Sequence, residues 1–195
     1  MWKNIPIIVL VVIIIYLLIP ESTISHPPGK VAPSPPSQKN LTNQKTFIHK
    51  EYFVTPLAQF SLQARVLSKK WYRWRSDSKI VPLDLALGWG RMSDSAVLDR
   101  IKINQSGRKY YWKSKQLPIP KKEISTSSAN MHIIPANDQV KQILKKIKKG
   151  HVLSLSGYLV KIRDKNGRRW ASSLTRTDVG NGACELVWIE KIKLH

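Results

Sequence analysis

Along much of this chain apolar and polar side chains alternate. In "QFSLQARV", Phe60, Leu62, Ala64 and Val66 are separated by Ser61, Gln63 and Arg65, the period of a half-buried strand. "PLDLALGWG" repeats the pattern, with Leu83, Leu85, Leu87 and Trp89 on one face. Ser93 or Asp94 then caps a short helix carrying Val97, Leu98 and Ile101. Residues 105–108, "QSGR", read as a turn before a strand over 109–112. After Asp138 the period changes: Val140, Ile143, Leu144 and Ile147 fall at i, i+3, i+4 and i+7, a helix. Lys145, Lys146, Lys148 and Lys149 crowd its end, where cations suit the helix dipole, and Gly150 is expected to close it. "VLSLSGYLVKI" and "RRWASSL" flank 164–167, whose Asn166-Gly167 pair is a hairpin signal. The apolar parity slips at Gly157, predicting a bulge there. A last strand runs from Ala183 to about Ile192.

These elements predict an α+β fold: a small, strongly bent antiparallel sheet or partial barrel with one clear amphipathic helix. A single N-terminal transmembrane helix precedes it. "IPIIVLVVIIIYLLI" carries no charge; at ~1.5 Å per residue it gives roughly 22 Å of helix, short of the ~30 Å hydrocarbon core. That leaves a short signal anchor, favoured here, or the apolar core of a signal peptide that is removed. The predicted organisation is a tail over 1–4, the anchor over 5–20, a tether over 21–45 and a basic domain over 46–195. "HPPGK" and "APSPPSQ" make the tether Pro-rich, and extended chain of that length would reach roughly 75 Å. A short basic start before an apolar run is the export signature. The protein is therefore expected as a single-pass protein of the cytoplasmic membrane, with its C-terminal domain periplasmic.

Charge narrows the class of partner. The chain has 33 Lys plus Arg against 12 Asp plus Glu, a net +21. Residues 1–45 hold four of the lysines and one glutamate, which leaves the domain 29 basic and 11 acidic residues, +18. Such a surface favours an anionic lipid or envelope polymer, or nucleic acid. Basic and aromatic residues interleave in "KKWYRWR" and "RKYYWKSK", a spelling that suits stacking beside charge. The candidate binding residues are Lys69, Lys70, Trp71, Arg73, Trp74, Arg75, Arg108, Lys109, Trp112, Lys145, Lys146, Lys148 and Lys149.

Catalytic signals are sparse. Cys184 is the sole cysteine, so no intramolecular disulfide forms. Alternation aligns it with Leu186 and Trp188, the company of a small buried hydrophobe. Its functional alternative is a nucleophile paired with His132 and oriented by Asn130 or Asp178. Asp84, Asp178 and Glu185 are acids in patterned segments, without the pairing that glycosidase or nuclease chemistry needs. No histidine sits at metal-ligand spacing, and no cofactor or metal is expected.

The segments "VPLDLALGWGRMSD", "SSANMHIIPA" and "SSLTRTDVGNGACELVW" resemble a group of small bacterial proteins with an N-terminal hydrophobic segment and no established activity. The resemblance spans about Tyr52 to Glu190; it implies a bacterial, single-domain protein and contributes no catalytic residue. The expectation is a membrane-tethered extracytoplasmic module that engages an anionic envelope component through a basic and aromatic surface. A Cys–His hydrolase or transferase is the first alternative, and a nucleic-acid-binding protein, if the domain is cytoplasmic, the second.

Overall fold

The computed structural model describes Val9, residues 22–175 and residues 184–195. In chain order the elements are β1 (Ser37–Asn40), β2 (Phe47–His49), β3 (Tyr52–Trp71), β4 (Leu83–Gly88), a 3-10 turn (Gly90–Ser93), α1 (Ser95–Leu98), β5 (Lys102–Ser106), β6 (Lys109–Lys113), α2 (Lys121–Thr126), β7 (Ser128–Pro135), α3 (Asp138–Lys146), β8 (Val152–Arg163), β9 (Arg169–Ala171) and β10 (Glu185–Leu194). The α+β expectation is corrected by this list. The described residues are mostly β, 47% strand and 14% helix, and eight of their strands join in one large sheet. Among the described residues no helix is long and apolar enough to cross a membrane. The anchor expected over 5–20 lies, apart from Val9, outside them.

Five strands close on themselves in the order β3–β4–β7–β10–β8 and back to β3. Every pairing in this ring is antiparallel except β7 with β10. β1 and β2 occupy the stretch of the β3 edge that β4 leaves open, and β9 extends β8. Counted along the ring, the strands run first, second, third, fifth, fourth, with α3 between the third and fourth. That connectivity is shared with OB-type barrels.

The sheet is larger than the pattern predicts because bulges hide part of it. β3 runs for 20 residues, with register shifts between Pro56 and Ala58 and between Val66 and Ser68. A bulge bends a strand and reverses which parity faces in. Thus Phe60, Leu62, Ala64 and Val66 enter the barrel core, whereas Leu67 packs outside it with Met92 and Ile124. Only the stretch between the bulges reads as clean alternation. The bulge predicted at Gly157 sits instead on the partner strand, where Ile189 faces Gly157 and Lys191 faces Ser156. Gly157 is needed because a Cβ there would run into the Trp188 carbonyl.

Leu83, Leu85 and Leu87 meet Met131, Ile133, Leu155 and Val187 inside the barrel, and Val140, Leu144 and Ile147 close one end. Asn137 caps α3, its Oδ1 accepting from Val140 N at 2.9 Å. The helix ends at Lys146, earlier than predicted, because Ile147 turns extended (ψ 135°) while its side chain stays fully buried. Gly150 follows with φ 91°, and a Cβ on it would collide with the Ile24 carbonyl.

That contact reveals where the Pro-rich stretch goes. Ile24 N–H donates to Lys149 O at 2.8 Å, and His26 Nε2 lies 2.8 Å from Gly150 O. Gly90 N–H donates to the carbonyl of Ala32, which is fully buried. From Ile24 to Ala32, then, the chain lies on the barrel as a strap, and β1 continues the docking along β3.

Candidate functional site

On β4 and β7 the residues that alternate with the core face outward, and besides Ser128 at the start of β7 three of them are polar. Asp84 and His132 stand opposite each other in the ladder, and Asn130 stands opposite Ala86. All three are buried, because a two-stranded ribbon, β5–β6, lies over this face. The ribbon turns at Gly107 and Arg108, with φ of 58° and 67°. Positive φ at both central residues is the type I′ requirement for a two-residue hairpin. It aims Arg108 inward.

Arg108 is the fastener. Its Nη1 lies 2.6 Å from Asp84 Oδ1, its Nη2 lies 3.0 Å from Asp77 Oδ1, and Nη2 also donates to Val81 O at 2.7 Å. The guanidinium sits 3.9 Å from the centroid of the Tyr72 ring and 5.8 Å from that of Trp170. His132 Nδ1 lies 2.8 Å from the same Asp84 oxygen, and its ring leans on Trp170 at 4.6 Å. Asn130 Nδ2 donates to Arg108 O at 3.1 Å and Asn130 Oδ1 accepts from Gln105 Nε2 at 2.6 Å. Tyr110 adds a bond of 2.8 Å to Ser128 Oγ; burial pushes its hydroxyl up to about 12.

The other face of the ribbon is open. Its cross-strand pairs are Lys102 with Lys113, Asn104 with Tyr111, and Ser106 with Lys109. All six are exposed, Tyr111 by 52%. No acidic residue lies among them. Two lysines directly opposite repel each other, so this face holds charge at a cost to stability. Beside the ribbon turn, the loop after β3 presents Trp74, 96% exposed, between the exposed Arg73 and Arg75. The loop is tied to the turn through Arg108, whose Nη2 donates to Asp77 Oδ1 and whose backbone N–H donates to Tyr72 Oη at 3.2 Å.

The residues singled out in the sequence therefore separate. Arg108 and Trp112 face the barrel, and Lys109 faces solvent. Trp71 packs against the barrel core, Lys69 Nζ donates to Ile147 O at 2.6 Å, and Lys70 is exposed. Lys145, Lys146 and Lys149 are exposed and Lys148 half-buried, beside the entry of the strap. Cys184 is half-buried just before β10, its carbonyl accepting from Ser173 N at 3.1 Å. The register sets Leu186, not Cys184, beside His132. Asp178 lies outside the described residues.

Chemically, the buried centre is an ion-pair network rather than an open site. His132 Nε2 makes no hydrogen bond among the described residues, and Asp84 Oδ1 is already shared by two donors. Among the described residues no group of three His, Cys, Asp or Glu side chains is placed to hold a metal. Sequence reasoning missed Lys102, Tyr111 and Lys113; the alternation Lys109, Tyr111, Lys113 was the available signal. No family model, curated protein or solved structure matches this chain.

Proposed function

We propose that this chain is a binding module for an anionic envelope component, held at the membrane by residues 5–20 with its barrel outside the cytoplasm. The observation that carries the reading is the outward face of the β5–β6 ribbon. It holds three lysines and a tyrosine without a carboxylate, and two of the lysines stand opposite each other. In OB-type barrels the face of the second and third strands serves ligands, an analogy of fold alone. Here that face is covered by the ribbon, and the ribbon's own outer surface takes its place. Trp74 at the neighbouring loop supplies a ring for stacking or for a headgroup interface. The strap supports the membrane arm of the reading. Because Ile24 is already bonded to Lys149, the lysines at 145–149 lie beside the chain that leads back to the uncharged run.

The test uses the full chain in neutral detergent, titrated with polyglutamate, oligothymidylate and vesicles containing phosphatidylglycerol. Each basic residue near an anionic surface contributes about 1 kcal/mol. The triple substitution K102Q/K109Q/K113Q should therefore weaken binding about 100-fold at low salt. Preference for oligothymidylate, lost with Trp74→Ala or Tyr111→Ala, would move the reading to nucleic acid. No binding to any of the three overturns it.

One observation favours the enzyme alternative: Asp84 holds His132 through Nδ1, the orientation a general base needs. Rapid thiol modification of native Cys184, suppressed by His132→Ala, would establish it; slow modification until unfolding removes it.

A further inference from the structure

A second buried arginine has a different environment. Arg65 lies on β3 opposite Gly88 and Val152, 8% exposed, on the outer surface of the barrel beneath the strap. Its Nη1 donates to Ser93 O at 3.1 Å and Ser95 Oγ at 2.8 Å. Its Nη2 and Nε make no hydrogen bond, and no carboxylate comes within ion-pair distance, among the described residues. Burial pushes its pKa down, with Asp99 and then Asp94 pulling against that shift. Asp94 is otherwise engaged, its Oδ1 accepting from Gly29 N and Ala96 N.

Arg65 lines a cavity of about 290 Å³ roofed by residues 23–26 of the strap. One wall is apolar, formed by Leu67, Leu98, Ile101 and Ile103. The polar wall carries Arg65 and Lys149 against a single carboxylate, Asp99, so it remains cationic. The roof is pinned from both sides: Ser95 Oγ donates to His26 O at 2.8 Å, and His26 Nε2 faces Gly150 O. The free edge of the guanidinium faces an accessible space rather than protein, so an anion entering there meets two donors without displacing an existing partner. The volume is near the roughly 300 Å³ lower end of small-molecule pockets.

We propose that this cavity binds a small organic oxyanion, a carboxylate or phosphate carrying a compact apolar group. The oxyanion meets the unused edge of the Arg65 guanidinium, a planar fork suited to two parallel hydrogen bonds. The apolar group lies against Leu98, Ile101 and Ile103. The site is independent of the ribbon surface, and it needs neither the membrane anchor nor a polymer.

The full chain in neutral detergent is titrated calorimetrically with benzoate, phenyl phosphate, inorganic phosphate and benzylamine. Phenyl phosphate or benzoate should bind, at least tenfold tighter than inorganic phosphate, and benzylamine should not; the ratio of the two organic anions identifies the headgroup. Arg65→Met should abolish the binding, and Leu98→Trp, which fills the cavity but keeps the charge, should weaken it at least tenfold. K102Q/K109Q/K113Q should leave it unchanged, which separates this site from the polymer surface. The proposal is overturned if neither organic anion binds, if benzylamine binds as well as they do, or if folded Leu98→Trp binds like the wild type.

Discussion

Arg108 and Arg65 are equally buried and oppositely served. Arg108 has two carboxylates, a carbonyl and two aromatic rings around it; Arg65 has a carbonyl, a hydroxyl and the wall of a cavity. The first charge is neutralised from within the fold and so belongs to the architecture, pinning a ribbon to a barrel. The second meets its counter-charges, Asp99 and Asp94, only beyond ion-pair distance. Burial of an arginine by itself distinguishes nothing; the carboxylates within its reach do.

The comparison breaks most easily at Arg108. Arg108→Met leaves Asp84 buried with one oxygen already lacking a partner, and loss of one member of such a pair costs about 3–5 kcal/mol. Chemical denaturation should show that loss, and Arg108→Lys should recover only part of it, since one ammonium cannot reach Asp84, Asp77 and Val81 O together. A change under 1 kcal/mol would mean that the ribbon is held by apolar packing alone.

Gly150→Ala comes next. Its positive φ and the Ile24 carbonyl both oppose a Cβ, so the substitution should cost about 1–3 kcal/mol and loosen the strap. Limited proteolysis between residues 22 and 32 should accelerate while the barrel survives. Arg65→Met should then have the small effect that sharpens the contrast, within about 1 kcal/mol of wild type without ligand, because no buried carboxylate is stranded. A loss comparable to that of Arg108→Met would make the two arginines equivalent and erase the distinction.

The smallest effect is a pH dependence. Tyr110 has its folded pKa raised to about 12 from an ordinary 10, so the neutral hydroxyl is favoured by folding. Its contribution is complete below pH 10 and is lost as pH rises toward 12. Tyr110→Phe should flatten the fall in stability across that window, with Tyr52 and Tyr72, also shifted up, supplying the remainder.

Several of these parts were legible in the sequence. Alternation over 60–66 and 83–89, the turn at Gly107, the Asp94 cap and the helix after Asp138 all correspond to observed elements. Barrel closure was not legible, because it depends on β3 being one strand through two bulges that interrupt its period. The parallel pairing of β7 with β10 leaves no local trace either. For the site, Asp84 and His132 were both visible as candidates, but nothing local joins residues 48 apart in the chain. The inward and outward halves of "RKYYWKSK" also look alike until register assigns Arg108, Tyr110 and Trp112 to one face and Lys109, Tyr111 and Lys113 to the other. Arg65 read as the polar half of an alternating strand, and the strap that buries it read as a tether.

The docking of that strap also determines how the domain is handled. Ile24 joins the fold at Lys149, and His195 N–H donates to Val152 O at 2.9 Å, with its Nε2 2.9 Å from Ser154 Oγ. Entry and exit of the described domain therefore converge on the start of β8. The domain is single-ended: a fusion appended after His195 emerges where the strap docks, crowding the end that leads to the uncharged run. A label carried on the turn at 164–167 leaves that end clear.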